Sequence, residues 1–297
     1  MEPVLSVNNL TKFYGPVHAL DAVSFTVPRG CVFGILGPNG SGKTTLLGII
    51  MNILKPTSGS FLLDGQPADA TVRKGIGTLL ETPNFYHYLS GARNLRIAAE
   101  IKGGGRDRID DVLRTVSLYE RRHSKFSTYS LGMKQRLAIA SCLLGNPDIL
   151  VFDEPTNGLD PVGIAEIREL ILRLAGEGKT IIMASHLLDE VEKVCTHVAI
   201  LKKGKLLTAG HVDEVLVNED IVEVSATNLE ALEATLKQMN GFTALKKNGS
   251  ALQLFYPAGT SRPDLINEHC FRQGIVLSHL QIRKKSLETK FFELTNN

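Results

Sequence analysis

Long hydrophobic runs are missing from this 297-residue sequence. No window approaches the ~18 consecutive apolar residues that a membrane-spanning helix requires. The first residues, MEPVLSVNNLTKFYG, also lack the charged segment and apolar core of a secretory signal. We therefore expect a chain that is neither secreted nor membrane-spanning, so that any membrane role depends on a partner.

Cysteine is scarce and the charge is nearly balanced. The four cysteines lie far apart with no CxxC pair, at positions 31, 142, 195 and 270. This spacing favours buried thiols in a reducing compartment over a disulfide framework or a metal site. The formal net charge of +2 is too small to indicate a nucleic-acid-binding or membrane-surface protein. The cytosol is the expected location.

The pattern of apolar segments indicates an α/β protein. Short apolar runs alternate with longer helical patterns through about residue 215, as a mostly parallel sheet requires. CVFGILG (31–37), DILVFDEP (148–155) and TIIMASH (180–186) are continuous apolar runs, which predict strands covered on both faces. The length and composition favour a large and a small domain, and we place them at 1–218 and 219–297.

The last eighty or so residues follow a different pattern. The order of strand, helix, hairpin, helix and strand predicts a small α+β domain of the ferredoxin-like type. Asn248-Gly249 lies between two alternating segments and predicts a type I′ turn, which needs positive φ at both central residues. Gly274 is expected to end the second helix.

The segment GPNGSGKTT (37–45) carries the most specific chemistry. It fits G-x-x-x-x-G-K-[ST] and stands between an apolar strand and a helical pattern, which argues against a chance match by a glycine-rich turn. Such a loop curls backbone N–H groups around phosphate oxygens, while a lysine reaches the β- and γ-phosphates and a hydroxyl ligates Mg²⁺. The predicted nucleotide-binding residues are Gly37, Pro38, Asn39, Gly40, Ser41, Gly42, Lys43, Thr44 and Thr45, with Thr44 as a metal ligand.

Polar residues end the next two apolar strands. Asp153 and Glu154 follow ILVF, and His186 follows TIIMAS. Adjacent carboxylates at a strand end are costly unless one faces a cation, so Asp153 is predicted to hold Mg²⁺ and Glu154 to polarise the attacking water. A solvated strand end and a structural histidine are the alternatives. The phosphate loop upstream favours a catalytic Glu154, and the convergence of strand ends favours a role for His186.

Together these motifs resemble those of the ATP-binding subunits of ATP-binding cassette (ABC) transporters, over about residues 4–215. The resemblance extends to YSLGMKQR (129–136) as the signature segment, NGLD (157–160) as the D-loop, and Tyr14 as the aromatic residue for adenine. The signature departs from the usual form, with Leu131 inserted and Met133 and Lys134 where Gly and Gln are common.

The resemblance implies a P-loop NTPase core with a helical subdomain at about 83–145, ATP and Mg²⁺ as cofactors, and ATP hydrolysis. It also implies a head-to-tail dimer, an ATP sandwich, in which the phosphate loop of one subunit faces the signature of the other. The residues expected to complete the nucleotide site are Tyr14, Ser130, Gly132, Gln135 and Asp160. Phe13 is the alternative to Tyr14 for stacking on adenine, and one of the two is a candidate core residue.

Glu81 stands where the family has a glutamine that ligates Mg²⁺ and begins the loop contacting the membrane partner. A carboxylate also supplies a metal with oxygen, but it adds charge and cannot donate a hydrogen bond when ionised. The glutamate resembles that of bacitracin- and lantibiotic-type exporters, and SLGMKQR is similar to the same branch. The alternative is an exposed loop glutamate.

A second segment, LSGAR (89–93), is closer in spelling to the family signature than SLGMKQR is. It lies far upstream of Asp153, however, and does not lead into the acidic strand. Ser90 is therefore predicted to be only the N-cap of the helix that follows.

The leading interpretation is the ATPase subunit of an exporter with separately encoded membrane-spanning permease chains, located at the cytoplasmic face of the membrane. The alternative is a soluble ABC ATPase that acts on a nucleic-acid or ribosomal machine, for which the sequence shows neither a second cassette nor a long basic arm. No nucleic-acid partner is expected. The ending KSLETKFFELT resembles that of related exporters, with Leu287, Phe291 and Leu294 on one helical face.

Overall fold

The computed structural model describes residues 2–67, 72–73, 75–80, 84–215, 219–257, 259–284 and 291. The chain forms two compact units, residues 1–212 and 213–297, so the division lies before the predicted boundary at 218. Glu81 lies outside the described residues, as do Leu287 and Leu294 of the C-terminal ending. None of the helices in the described part of the chain is long and apolar enough to cross a membrane.

The first unit combines two sheets with helices. Its strands are β1 (Leu5–Tyr14), β2 (Val17–Val27), β3 (Val32–Leu36), β4 (Ser58–Leu63), β5 (Gln66–Pro67), β6 (Ile76–Leu79), β7 (Ile149–Asp153), β8 (Thr180–Ser185), β9 (His197–Lys202) and β10 (Lys205–His211). Its helices are α1 (Lys43–Ile50), α2 (Gly91–Lys102), α3 (Ile109–Thr115), α4 (Leu131–Leu143), α5 (Pro161–Gly176) and α6 (Leu188–Val194). The helix α7 (Val212–Val215) begins at the last residue of this unit.

The larger sheet has the order β10-β9-β3-β8-β7-β6 and is parallel except for the β9–β10 pair. Every residue of β3, β7 and β8 is buried, as predicted for apolar strands covered on both faces. Because these three are parallel neighbours, their carboxyl ends lie at one edge of the sheet. The polar residues that follow β3, β7 and β8 in the sequence are thereby brought together.

The smaller sheet is antiparallel, with the order β2-β1-β4-β5. It buries Leu5, Val7 and Leu10 in the same hydrophobic cluster that contains Phe33 and Ile35 of β3. The two sheets of this unit therefore share one core, which fixes the β1–β2 hairpin relative to the loop that follows β3.

Short polar residues start the helices downstream of β6. Ser90 accepts a hydrogen bond from the Arg93 backbone N–H (3.4 Å), which confirms that LSGAR is a helix start. Ser130 and Asp160 cap α4 and α5 in the same way. The helices α2, α3 and α4 all fall within the segment predicted as a helical subdomain.

The second unit has the predicted order of elements. It contains β11 (Glu219–Ala226), α8 (Leu229–Leu236), β12 (Ala244–Asn248), β13 (Ala251–Pro257), α9 (Pro263–Arg272) and β14 (Leu277–Lys284). The sheet order β12-β13-β11-β14, with antiparallel neighbours throughout, is that of a ferredoxin-like fold. Its own core gathers Val222, Leu232, Leu254 and Ile266, so each unit has a separate interior.

The predicted hairpin turn is shifted by one residue. Asn248 pairs with Ala251, so the two turn residues are Gly249 and Ser250. Gly249 has a φ of 59°, and neither Asn248 nor Ser250 is among the residues with positive φ. One positive φ at the first central position is typical of a type II′ turn, so the predicted type I′ turn is wrong. The predicted helix end at Gly274 is confirmed by its φ of 75° and by the Ile275 N–H, which donates to the Cys270 carbonyl at 2.9 Å.

All four cysteines are buried and free, as the sequence predicted. Burial raises the pKa of the Cys31 and Cys142 thiols to about 11. It raises the pKa of Cys195 as well, with a smaller contribution from Cys31. Thiols of this kind stay protonated at neutral pH and are poor nucleophiles.

Candidate functional site

The loop between β3 and α1 has the backbone of a phosphate-binding loop. Gly40 and Gly42 have φ of 78° and 106°, which L side chains rarely adopt. A Cβ on Gly42 would lie 2.4 Å from the Ala19 carbonyl oxygen, and one on Gly37 would lie 2.5 Å from that of Leu201. Glycine is therefore required at both ends of the loop, where the chain runs against neighbouring backbone.

The helix α1 leaves its first turn available to an anion. It begins after Gly42 with no side-chain cap and no acidic residue in its first turn. Thr44 is exposed and Thr45 is half-buried at this end. Backbone N–H groups without intrahelical partners and the positive end of the helix dipole together favour phosphate binding.

Lys43 connects the loop to the acidic strand. Its side chain is only 6% exposed, and its Nζ donates to the carbonyl oxygens of Gly37 (2.8 Å) and Pro38 (3.4 Å). Its Nζ also lies 3.6 Å from Glu154 Oε1. The predicted phosphate-binding lysine and the predicted general base are thus direct neighbours.

Glu154 is held by its backbone and, besides Lys43, by one further side chain. Its backbone N–H donates to the Ala184 carbonyl of β8 (3.0 Å), and its φ of 48° is unusual for a residue other than glycine. Its Oε2 lies 2.8 Å from His186 Nδ1. An ionised carboxylate can only accept hydrogen bonds, so Nδ1 is assigned as the donor in this pair. The structure therefore brings Lys43, Glu154 and His186 together, as predicted.

Asp153 and Thr44 are the described residues that could hold Mg²⁺. Asp153 ends β7 and is 7% exposed, and α1, which carries the exposed Thr44, packs against the same strand. Within the described part of the chain no cluster of three or more His, Cys, Asp and Glu side chains could hold a metal alone. Mg²⁺ normally combines one or two protein oxygens with phosphate oxygens and waters, so this donor set fits an ion that arrives with a nucleotide. Glu81, the third predicted ligand, lies outside the described residues.

The signature segment starts α4. Ser130 is exposed, and its Oγ accepts from the Met133 N–H at 3.3 Å. Gly132 is half-buried, Gln135 is 9% exposed, and the inserted Leu131 is 47% exposed. The segment therefore presents a hydroxyl and a helix N-terminus on the surface, which suits an anion offered from outside the chain.

Asp160, the last residue of the predicted D-loop, caps the helix that follows it. Its Oδ1 accepts from the Gly163 N–H (2.9 Å) and caps α5. The exposed carboxylate keeps further oxygen lone pairs for a ligand. Sequence reasoning did not single out Thr156, whose Oγ1 is buried with no hydrogen-bond partner among the described atoms, although its place after Glu154 was a signal.

The two aromatic residues at the end of β1 are both on the surface. Phe13 is 38% and Tyr14 47% exposed, so the expectation of a core residue in this pair is wrong. The Phe13 ring lies 4.2 Å from the His18 ring, while Lys12 Nζ lies 5.0 Å from the Tyr14 ring centroid. Phe13 is already packed against a neighbouring ring, whereas Tyr14 offers a more accessible face.

The chain was compared with known protein families and curated sequences. The model of the ABC transporter family matches residues 20–157. The ABC transporter ATP-binding protein YhcH of Bacillus subtilis is 40% identical over 99% of this chain and 97% of its own length. The bacitracin transport ATP-binding protein BcrA of Enterococcus faecalis is 33% identical over 99% and 97%, respectively. The lantibiotic transport ATP-binding protein SrtF of Streptococcus pyogenes is 37% identical over 74% of this chain and 98% of its own.

Solved structures show the same similarity. The cbiO1 protein of Clostridium perfringens, part of the ABC transporter complex cbiONQ, has a TM-score of 0.66 at 30% identity, covering 80% of this chain and 96% of that one. A dimeric ATP-binding cassette in a post-hydrolysis state, bound to ADP and phosphate, has a TM-score of 0.61 at 28% identity, covering 70% and 98%.

Proposed function

The chain belongs to the ABC transporter family as one of its ATP-binding subunits, and we propose that it hydrolyses ATP to power export through separately encoded permease subunits. The observation that supports the catalytic part is the meeting of Lys43, Glu154 and His186 beside the phosphate loop. Two polar strand ends and a helix start converge there on the place where a γ-phosphate would lie.

Each of the three side chains has a distinct role in this proposal. Lys43 neutralises charge on the β- and γ-phosphates, and Glu154 orients the attacking water and accepts its proton. His186 fixes the Glu154 carboxylate through Nδ1 and presents Nε2 to the γ-phosphate. Mg²⁺, held by Thr44 and Asp153, would neutralise phosphate charge when it is bound.

A second subunit completes the site. The exposed positions of Ser130 and Asp160, with the half-buried Gly132 beside Ser130, support a head-to-tail dimer in which these residues contact the nucleotide of the partner. Gln135 follows Ser130 and Gly132 in the first turns of α4. The similar ATP-binding cassette bound to ADP and phosphate is itself a dimer, which supports a dimer here.

The substrate class is taken from the relatives. BcrA and SrtF are named for bacitracin and lantibiotic transport, and we propose a peptide antibiotic or drug as the exported substrate. Glu81 is proposed to ligate Mg²⁺ and to begin the loop that contacts the permease. The subunit would then work at the cytoplasmic face of the membrane.

The replacement Glu154→Gln tests the catalytic proposal. It keeps the shape of the side chain and removes the base, so we expect retained ATP binding and a ~10²- to 10⁴-fold slower hydrolysis. The dimer of this variant should also accumulate when ATP is present, which gel filtration with and without ATP measures.

Glu169→Gln is the matched control, because Glu169 is an exposed glutamate on α5. It should hydrolyse ATP at the parental rate. A Glu154→Gln variant that stays monomeric with ATP, or that still hydrolyses ATP at the parental rate, would contradict the proposal.

A further inference from the structure

The start of α4 lies beside the segment after β7 at three points within the same chain. A Cβ on Gly158 would lie 3.4 Å from Leu131 Cδ2, an ordinary van der Waals distance, so the leucine side chain lies beside this glycine. A Cβ on Gly132 would lie 3.9 Å from Gly163 Cα, and Arg136 pairs with Glu166 at 3.4 Å. The first two turns of α4 therefore pack against the beginning of α5.

The contacted segment leads directly back to the general base. The Asn157 N–H donates to the Glu154 carbonyl at 3.1 Å, and the Leu159 N–H donates to that of Thr156 at 3.3 Å. Glu154 keeps its left-handed backbone (φ 48°) at the first residue of this short hydrogen-bonded turn. A shift of the turn at Gly158 would consequently reach the Glu154 carboxylate.

Leucine is an unusual choice for Leu131 if only phosphate binding is considered. The side chain is 47% exposed and has no atom that can hydrogen-bond to a phosphate. The place of Leu131 beside Gly158 instead points to a role in packing against the turn after β7. Gly158 has a φ of 74°, a backbone conformation that L side chains rarely adopt, so glycine is favoured beside Leu131 by the backbone of the turn.

We propose that Leu131 is a positioning residue, which couples ATP contact at the N-terminus of α4 to the placement of Glu154 in the same chain. When the Ser130 end of α4 engages the γ-phosphate of the facing subunit, Leu131 presses on Gly158 and holds the 154–158 turn. The inference rests on the proposed function, because it assumes an ATP sandwich and Glu154 as the base.

Leu131→Ala tests this coupling by removing the contact while keeping Ser130 and the helix. Because small misplacements of a catalytic group cost up to ~10²-fold in rate, we expect a kcat of ATP hydrolysis roughly 10-fold lower. The KM for ATP should stay within about 2-fold, since no group in contact with phosphate is lost. Leu131→Met, which keeps an apolar side chain of similar volume, should recover most of kcat.

Leu172→Ala is the matched control, because Leu172 is a leucine with 45% exposure on α5. It should leave both kcat and KM at parental values. A parental kcat for Leu131→Ala would overturn the inference. A rise in the KM of Leu131→Ala by the same factor as its fall in kcat would also overturn it. The same would be true if Leu172→Ala lost as much kcat as Leu131→Ala.

A dimer measurement separates this inference from the proposed function. Leu131→Ala combined with Glu154→Gln should still form the ATP-dependent dimer in gel filtration, because the coupling acts after ATP is bound. Loss of that dimer only when Leu131→Ala is added would make Leu131 a part of the ATP contact and overturn the positioning role. Absence of the dimer in Glu154→Gln itself would instead contradict the proposed function.

Discussion

The two carboxylate oxygens of Glu154 have different neighbours. Oε1 faces Lys43 Nζ at 3.6 Å, and Oε2 faces His186 Nδ1 at 2.8 Å. The carboxylate thus lies between a residue that is proposed to bind phosphate and one that can orient a water. A charge held by two partners keeps a defined direction, as a general base needs.

Tyr14 provides a residue-scale prediction about the nucleotide base. Stacking of a base on an aromatic ring is worth ~1–3 kcal/mol, so Tyr14→Ala should weaken ATP binding roughly 5- to 150-fold, measured by isothermal titration calorimetry. Tyr14→Phe should bind nearly as the parent does. Phe13→Ala is the control, because the Phe13 ring is packed against His18. ATP binding unchanged in Tyr14→Ala, or weakened instead in Phe13→Ala, would contradict the assignment.

At this scale the motif and the topology together made the site predictable. The spacing of GPNGSGKTT placed Lys43, and the rule that parallel strands converge at their carboxyl ends placed Glu154 and His186 beside it. The positive φ of Glu154 and the contact of Leu131 with Gly158 could not be predicted. The second depends on how α4 and α5 pack, which local sequence does not determine.

At the scale of elements, the turn between α2 and α3 offers a matched pair of glycines. Gly105 has a φ of 86°, and a Cβ there would lie 2.2 Å from the Leu144 carbonyl oxygen. Gly104 has no positive φ and open space around its Cβ position. Glycine is therefore required by the backbone and its neighbours at position 105, but not at position 104.

The two glycines should respond differently to alanine. Gly105→Ala forces a strained backbone and a close contact, and we expect it to lower the free energy of unfolding by about 1–3 kcal/mol. Gly104→Ala should change it by less than about 1 kcal/mol, toward greater stability, because alanine restricts the unfolded chain. Urea denaturation of the full chain measures both. Equal effects of the two changes would contradict the steric argument.

Element order was easier to predict than element ends. The helix start at Ser90 and the helix end at Gly274 followed from capping rules. The hairpin was placed correctly, but its turn contains Gly249 and Ser250 rather than Asn248 and Gly249. Pairing between β12 and β13 determines which two residues remain unpaired, and that register is a property of the whole sheet.

For the whole molecule, assembly with a permease is the property to test. Purification in detergent should recover polytopic membrane chains with this subunit, whereas recovery of nucleic acid or ribosomes would support the alternative function. In the assembled complex, Glu81→Ala should reduce transport-coupled ATP hydrolysis, because it removes a proposed Mg²⁺ ligand at the start of the coupling loop.

Glu120→Ala serves as a control for Glu81, since Glu120 is a glutamate in a surface turn of the same unit. Transport-coupled hydrolysis should be parental in this variant. Unchanged hydrolysis in Glu81→Ala would contradict the metal-ligand role and leave Glu81 as an exposed loop residue.

The fold class of both units followed from the alternation of apolar runs, since a strand buried on both faces and a strand with one solvated face differ visibly in sequence. The division between the units was harder to place. It lies within the short helix Val212–Val215, where the sequence shows no proline- or glycine-rich linker.

The left-handed backbone at Glu154 lowers the stability of the folded chain at a residue that is proposed to be needed for activity. A residue with a Cβ costs about 1 kcal/mol or more in this conformation, and glycine would remove that cost together with the carboxylate. The chain therefore retains a less stable residue at the position of its proposed general base. Selection for a more heat-resistant protein would act against that residue, so stabilising substitutions have to be found elsewhere in the molecule.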